Sequence, residues 1–386
     1  MLEVGLAAAH AVRVRRQRVG LDRTAPAERL DERPVGTQVE ASVGHGPRIG
    51  PRVATVASLP SRWHRRGRPA YWPVPGPPPM LVLYNSNAGS AAEADIEALR
   101  SVPGVDLVDC EDPDDTIDAA AEAAHSGIDL VVAAGGDGTV HLVANGLMRA
   151  GPTADTRPAL GVLPLGTGND LARTLALPLK VSPIEALDAL RHAERRCLDL
   201  IRVSHDGDDD HTDYAINVCA GGFSGAVDEV LTSELKATWG PLAYLVGAVK
   251  AMPDLDAYDT QFAWDGGPAE RIAAYNVVVA NARTAGGGKP VAPRANPEDG
   301  LLDVVVVRAQ ADIARLAARV LAGDYLDDED IVFNRVSELY VESTPGMWFN
   351  VDGELRTNVP VTFKAVPQAL RVCVGPKYVR DVEVPS

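Results

Sequence analysis

Three short apolar runs, each ending in a polar loop and then a helical stretch, limit what this chain can fold into. Leu81–Tyr84, begun at Met80, leads into Asn85-Ser86-Asn87-Ala88-Gly89-Ser90 and an Ala/Glu-rich helix over Ala91–Arg100. Asp129–Ala134 leads into Gly135-Gly136-Asp137-Gly138-Thr139 and a helix over Val140–Arg149. Leu160–Leu163 leads into Gly166-Thr167-Gly168-Asn169-Asp170 and a helix through Leu175. A strand at Val105–Val108 and a helix at Thr116–His125 lie between the first two. Runs that are apolar without alternation suit strands buried on both faces. Alternation with helices at this spacing predicts βαβ units and an α/β domain with a parallel sheet over residues 80–178.

After Glu194 strand-like runs dominate: Cys197–Val203, Tyr214–Ala220, Ile272–Ala280, Asp303–Arg308, Leu339–Glu342, Trp348–Val351 and Ala369–Val374. Residues 179–380 are therefore expected to form a second domain, a mostly antiparallel β-sandwich with a few helices. The acidic turn Asp206-Gly207-Asp208-Asp209-Asp210-His211 reads as a solvated hairpin tip; as a metal loop it lacks anything to fix its oxygens. The helix at Gly240–Met252 is apolar nearly all round and too short to cross a bilayer. It reads as core, with a lipid-facing lid as the alternative.

Charge separates the first 79 residues from the rest. They hold 13 Arg, no Lys and 6 acidic residues, a net of +7, whereas residues 80–386 carry a net of −23. Pro-rich runs such as Pro73–Pro79 and the lack of apolar periodicity predict a disordered extension. It reads as an Arg-rich tail, a tether to anionic lipid, or an upstream start that is not used, with the functional protein beginning at Met80. The acidic body repels phosphate backbones, which argues against nucleic acid as a partner. Four scattered cysteines without CxxC spacing argue against a disulfide framework or a zinc site and suit a reducing compartment.

The glycine loops carry the chemistry. Gly135, Gly136 and Gly138 remove Cβ atoms where backbone N–H groups must approach a polyphosphate, and the helix that follows adds a partial positive charge. Thr139 supplies a hydroxyl or a cap. No Lys-Ser/Thr follows, so this is not a Walker A loop, and the spacing is not GxGxxG. Alone, the segment reads equally well as a plain turn with a capping Asp137. The Gly166–Asp170 loop and the Asn85–Ser90 loop decide it, because a parallel sheet brings all three to one rim, where ligands of open α/β sheets bind.

These loops, with Leu171-Ala172-Arg173, resemble the signature segments of the diacylglycerol kinase catalytic-domain family, which includes sphingosine and ceramide kinases and bacterial soluble lipid kinases. Gly286-Gly287-Gly288-Lys289-Pro290-Val291-Ala292-Pro293, Pro297-Glu298-Asp299-Gly300-Leu301-Leu302-Asp303 and Asn350-Val351-Asp352-Gly353-Glu354 resemble its later motifs in the same order. The resemblance runs from Met80 to about Pro376. It implies an ATP-dependent kinase with nucleotide between an α/β domain and a β-rich domain. By motif match Asn85, Asn87, Gly135, Gly136, Asp137, Gly138, Thr139, Gly166, Thr167 and Asn169 bind ATP. Asp137, Asp170 and Asp199 match aspartates linked through water to Mg2+. Asp299, with the backbone carbonyls of Asn296 and Leu301, matches a second, structural magnesium site. Glu354 matches the general base.

The chain departs from the family at Ser86, usually Pro, at Leu142, usually Glu, and at His141, which replaces a common Asn. Glu354 and Asp137 both qualify by type to accept the proton of an attacking hydroxyl; Glu354 is taken as the base and Asp137 as organiser of phosphate and magnesium. Asp352-Gly353 is also a hairpin-turn signal. Lys289 reads as a phosphate or headgroup contact or as an exposed loop lysine.

The resemblance implies a lipid alcohol as acceptor, diacylglycerol or a related lipid, taken from the bilayer surface by a cytoplasmic enzyme peripherally associated with the membrane. Residues around Trp239–Met252 are the expected lipid contacts, and a homodimer is left open. Two alternatives remain: an NAD-kinase-like phosphotransferase on a soluble nucleotide, and a catalytically silent nucleotide- or lipid-binding regulator.

Overall fold

The structure, a computed structural model, describes residues 80–86, 93–151, 153–205, 208–222, 257–358 and 360–381. The extension 1–79, the loop residues Asn87–Ser90 and the apolar helix expected at Gly240–Met252 lie outside the described residues.

Strands β1 (Met80–Tyr84), β2 (Val105–Asp109), β3 (Leu130–Gly135) and β4 (Ala159–Pro164) pair in parallel in the order β2-β1-β3-β4. Every residue of β1 and β3 is buried, as their unbroken apolar runs require. Helices α1 (Glu93–Arg100), α2 (Pro113–His125), α3 (Asp137–Arg149), α4 (Asp170–Thr174) and α5 (Pro183–His192) connect or follow them. Their starts are set locally. Asp112 accepts the Asp115 N–H at 2.9 Å, with Pro113 in the first turn of α2. Ser182 and Glu185 close a capping box on α5, again with Pro183 at its start.

Strands β5 (Glu194–His205), β6 (Asp208–Ala215), β7 (Val218–Gly222), β8 (Tyr258–Trp264) and β9 (Glu270–Ala280) open the antiparallel part. A small ribbon follows, β10 (Thr284–Ala285) with β11 (Lys289–Pro290). Then come β12 (Leu302–Arg308), helix α6 (Ile313–Ala322), β13 (Ile331–Val336), β14 (Glu338–Thr344), β15 (Phe349–Val351), β16 (Glu354–Thr357) and β17 (Val361–Val374). Strand β12 shows why a run of four valines belongs here. Val304 and Val306 face one apolar cluster, with Phe262, Leu339 and Phe363; Val305 and Val307 face another, with Leu316, Val320 and Tyr325. Each buried valine contributes about 1.5 kcal/mol or more.

The expected architecture, a parallel α/β part followed by a mostly antiparallel β-sandwich, is the one observed. Several details differ. Strands β8, β10, β11, β13 and β16 and helices α5 and α6 are not among the elements expected from the sequence, and the acidic stretch expected as a hairpin tip is strand from Asp208, where β6 begins. The run Tyr214–Ala220, read as one strand, breaks at Ile216 and Asn217, whose N–H groups turn to a buried carboxylate described below. The strand read at Ala369–Val374 is the second half of β17, which begins at Val361 and bulges between Val366 and Leu370. That long strand joins the two parts: it pairs antiparallel with β14 and β5, and Val372 lies parallel to Leu160 of β4. Leu370, Val372 and Val374 pack into the same core as β1, β3 and β4.

Candidate functional site

The C-terminal ends of β3 and β4 carry two loops that pack backbone to backbone. Leu165 N and Gly166 N both donate to Gly135 O, at 3.0 and 3.2 Å. A Cβ on Gly166 would lie 2.3 Å from the Gly136 Cα, so only glycine allows this approach. Gly136, in extended conformation, is the N-cap of α3 and makes no side-chain capping bond; Asp137 and Gly138 open the helix. The first N–H groups of α3 are thus left for an anion. Asn169 adopts the left-handed conformation at φ 52°, and its amide is engaged with the loop itself: Oδ1 accepts from Gly166 N at 3.1 Å and Nδ2 donates to Gly166 O at 2.5 Å. Thr167 is exposed at the tip. Asn85 follows β1, and Ser86 N donates to Asp109 Oδ1 at 3.1 Å. Asn87 lies outside the described residues.

Four aspartates hold the loops, each tying down a segment distant in the chain. Asp137 does not cap its own helix. Its Oδ1 accepts from Asp170 N at 2.8 Å and Leu171 N at 3.3 Å, and so caps α4, where Asn169 supplies no cap. Its Oδ2 lies under Gly168, where a Cβ would come within 2.7 Å. Asp170, buried, accepts from Gly287 N at 2.8 Å and Gly288 N at 2.6 Å and so holds the triple-glycine loop. Asp199, also buried, accepts from Gly300 N at 2.6 Å and Gln368 N at 2.7 Å, while its own N–H donates to Pro297 O. Asp352 accepts from Ile216 N, Asn217 N and Val218 N at 2.8, 3.0 and 2.9 Å. This last set breaks the strand between β6 and β7.

Asp137 and Asp170 therefore stand together, with Asp352 within electrostatic reach of Asp137. Asp199 stands instead with the 297–300 segment, beside Asp299 and Glu298. Burial and the neighbouring Asp170 push the Asp137 carboxyl up to about 6; the backbone N–H groups of Leu171 and Asp170 work against this, and Asp352 adds to it. Asp137 is a carboxylate that a nearby cation would relieve.

Asp299 accepts the Leu301 N–H at 2.9 Å on Oδ1 and contacts the Arg335 guanidinium through Oδ2. Asn296 Oδ1 accepts from Glu298 N and its Nδ2 donates to Asp381. Next to them is Asp303, 1% exposed, with both carboxylate oxygens buried and without a hydrogen-bond partner. Arg335 Nε lies 3.6 Å from it, yet burial still pushes its carboxyl up to about 6. Among the described residues no three His, Cys, Asp or Glu side chains are grouped closely enough to hold an ion by themselves.

Glu354 opens β16 after a turn in which Asp352 and Gly353 both have positive φ, 48° and 104°. It is exposed, whereas Asp352 two residues earlier is buried and saturated by donors. Below the turn, Asp352 Oδ2 also meets His141 Nδ1 at 3.2 Å. His141 on α3, Asp213 on β6 and Arg356 on β16 complete a charged network that no sequence motif announced. Its one legible signal was His141, an ionisable residue on the apolar side of a helix.

The diacylglycerol kinase catalytic domain matches residues 79–203, and the YegS C-terminal NAD kinase beta sandwich-like domain matches residues 217–374. The chain is 32% identical over 252 residues to the "Diacylglycerol kinase" of Bacillus subtilis (strain 168), covering 64% of this chain and 78% of that protein. It is 35% identical over 260 residues to the "Probable lipid kinase YegS-like" of Xanthomonas axonopodis pv. citri (strain 306), covering 65% and 80%. The crystal structure of a diacylglycerol kinase from Bacillus anthracis str. Sterne shares the fold, with a TM-score of 0.60 at 22% identity over 78% of this chain and 98% of that one.

Proposed function

Because this chain belongs to the diacylglycerol kinase catalytic-domain family, we propose that it is a lipid kinase that transfers the γ-phosphate of ATP to the hydroxyl of diacylglycerol or a related lipid. One observation carries the reading. The two glycine loops pack against each other at the start of α3, and Asp137, at that start, lies within electrostatic reach of Asp352 in the turn that presents Glu354.

In this reading the Gly135–Thr139 and Gly166–Asn169 backbones bind the phosphates, with the free N–H groups at the start of α3 aimed at their charge. Asn169 acts by shaping its loop, since both ends of its amide are already engaged with Gly166. Glu354, exposed and free of the donors that saturate Asp352, accepts the hydroxyl proton. Asp137 and Asp170 have oxygens that suit a hard cation reached through water, because backbone N–H groups already engage them. When bound there, Mg2+ supplies charge neutralisation at the phosphates. A second Mg2+ would be held by Asp299 with the carbonyls of Asn296 and Leu301. The partnerless oxygens of buried Asp303 beside them favour a cation in addition to Arg335. No helix among the described residues is long and apolar enough to cross a membrane. In this reading the lipid is met at the bilayer surface.

The test offers labelled ATP with diacylglycerol, ceramide, sphingoid base, phosphatidylglycerol and NAD in turn. Label in a chloroform-extractable product supports the proposal; label in a water-soluble dinucleotide, or none transferred, overturns it. Chelation of divalent ions is expected to lower both turnover and the thermal midpoint; an unchanged midpoint removes the structural magnesium.

A further inference from the structure

His141 lies one turn into α3, four residues after Asp137, and is 1% exposed. It is too deeply enclosed to touch a substrate, yet it joins three elements. Nδ1 faces Asp352 in the turn before β16, at 3.2 Å. Nε2 lies between partners of opposite kind: Asp213 Oδ1 of β6 at 3.4 Å and Arg356 Nη2 of β16 at 3.3 Å. Those two are themselves paired, Arg356 Nε to Asp213 Oδ2 at 3.0 Å. A neutral imidazole has one donor nitrogen and one acceptor; an imidazolium has two donors. With Nδ1–H given to Asp352, a neutral Nε2 accepts from Arg356. A protonated Nε2 donates to Asp213 and repels the guanidinium.

We propose that His141 is a positioning residue for Glu354: its ring ties α3 to the β15–β16 hairpin, and the exchange of Nε2 between Asp213 and Arg356 sets how firmly that hairpin is held. The consequence for turnover rests on the reading of Glu354 as the base. The protonated ring touches the hairpin directly only at Asp352, and reaches Arg356 at one remove through Asp213. The neutral ring holds it at two points, Asp352 and Arg356, on either side of Glu354 in the chain.

Burial works to lower the His141 pKa, but the hydrogen bond and charge of Asp352 and the charge of Asp213 outweigh it against Arg356, and the ring titrates above the usual 6.5. The other acidic group nearby is Asp137, on the same helix and within reach of Asp352. Turnover is therefore expected to rise as the ring loses its proton.

The experiment compares the full chain with His141→Asn and Arg356→Gln. It measures phosphorylation of diacylglycerol in detergent micelles from about pH 6 to about pH 9, and hydrogen exchange of the 350–357 amides. His141→Asn, which has no titrating ring, is expected to lose the rise with pH and to speed exchange in the hairpin, with KM for ATP little changed. Arg356→Gln, at an exposed position, is expected to fold normally, to keep the acid-side rate and to lose the increase at higher pH. An unchanged pH profile, or hairpin exchange that neither variant alters, overturns the proposal. Should Glu354→Gln keep normal turnover, the base reading fails separately, and hairpin exchange still judges the clamp.

Discussion

Replacing Asp352 by Asn changes one atom and probes the network that joins α3, β6, β7 and the Glu354 turn. Oδ1 accepts from Asn217 N and Val218 N at 3.0 and 2.9 Å; Oδ2 accepts from Ile216 N at 2.8 Å and faces His141 Nδ1 at 3.2 Å. An Asn amide keeps its oxygen where it serves two N–H groups. Its NH2 then meets the Ile216 N–H, donor against donor, at a site only 7% exposed. One buried donor left unpaired costs about 1–3 kcal/mol. Losing the charge-assisted hydrogen bond to His141 adds about 1 kcal/mol. The expected loss is about 2–4 kcal/mol, a large share of the roughly 5–15 kcal/mol typical of folded domains. The opposite amide orientation strands two N–H groups and costs more. The pH dependence has a definite sign. The His141 pKa is raised on folding, so its stabilisation is complete below 6.5 and fades as pH rises through the folded value. Asn removes the partner that raises it, so the deficit is larger near pH 6 than near pH 9. Urea unfolding midpoints of the two proteins at both pH values measure this. A deficit under about 0.5 kcal/mol, or one that grows with pH, refutes the reasoning.

Asp137→Asn keeps an oxygen for the N–H groups of Asp170 and Leu171 and removes a charge that folding raises to about 6. The ionised form costs stability increasingly as pH climbs from about 4 through 6, so the variant is expected to be about 1–3 kcal/mol more stable near pH 8, with no gain near pH 4 and turnover lost; destabilisation near pH 8 contradicts this. Glu354→Gln should lower turnover about 10²- to 10⁴-fold with ATP binding intact, read by calorimetry beside the lipid assay, and near-normal turnover rejects Glu354 as base. Gly166→Ala places a Cβ 2.3 Å from the Gly136 Cα. Parting the two loops should cost about 1–3 kcal/mol of stability and weaken ATP binding about tenfold or more; unchanged affinity and midpoint would show that the contact is not needed.

The α/β part was legible because its information is local. β1 and β3 are unbroken apolar runs, polar loops follow them, and the helical stretches expected at Ala91–Arg100, Thr116–His125 and Val140–Arg149 overlap α1, α2 and α3. The glycine loops of the candidate site were legible for the same reason. Strand β8 was harder to see: Tyr258–Trp264 mixes Asp, Thr and Gln with aromatics, and its partners β9 and β14 begin 12 and 80 residues later.

What the sequence determined alone was the order of elements and the places where backbone must come close to a ligand, since apolar period and the missing Cβ act within a few residues. What only tertiary structure decided was how each carboxylate is used. Asp137 caps a helix that starts 33 residues on, and Asp352 straightens nothing near itself but ends a strand 134 to 136 residues earlier. A carboxylate accepts several N–H groups from any direction, and folding alone decides which amides lack a partner at that point.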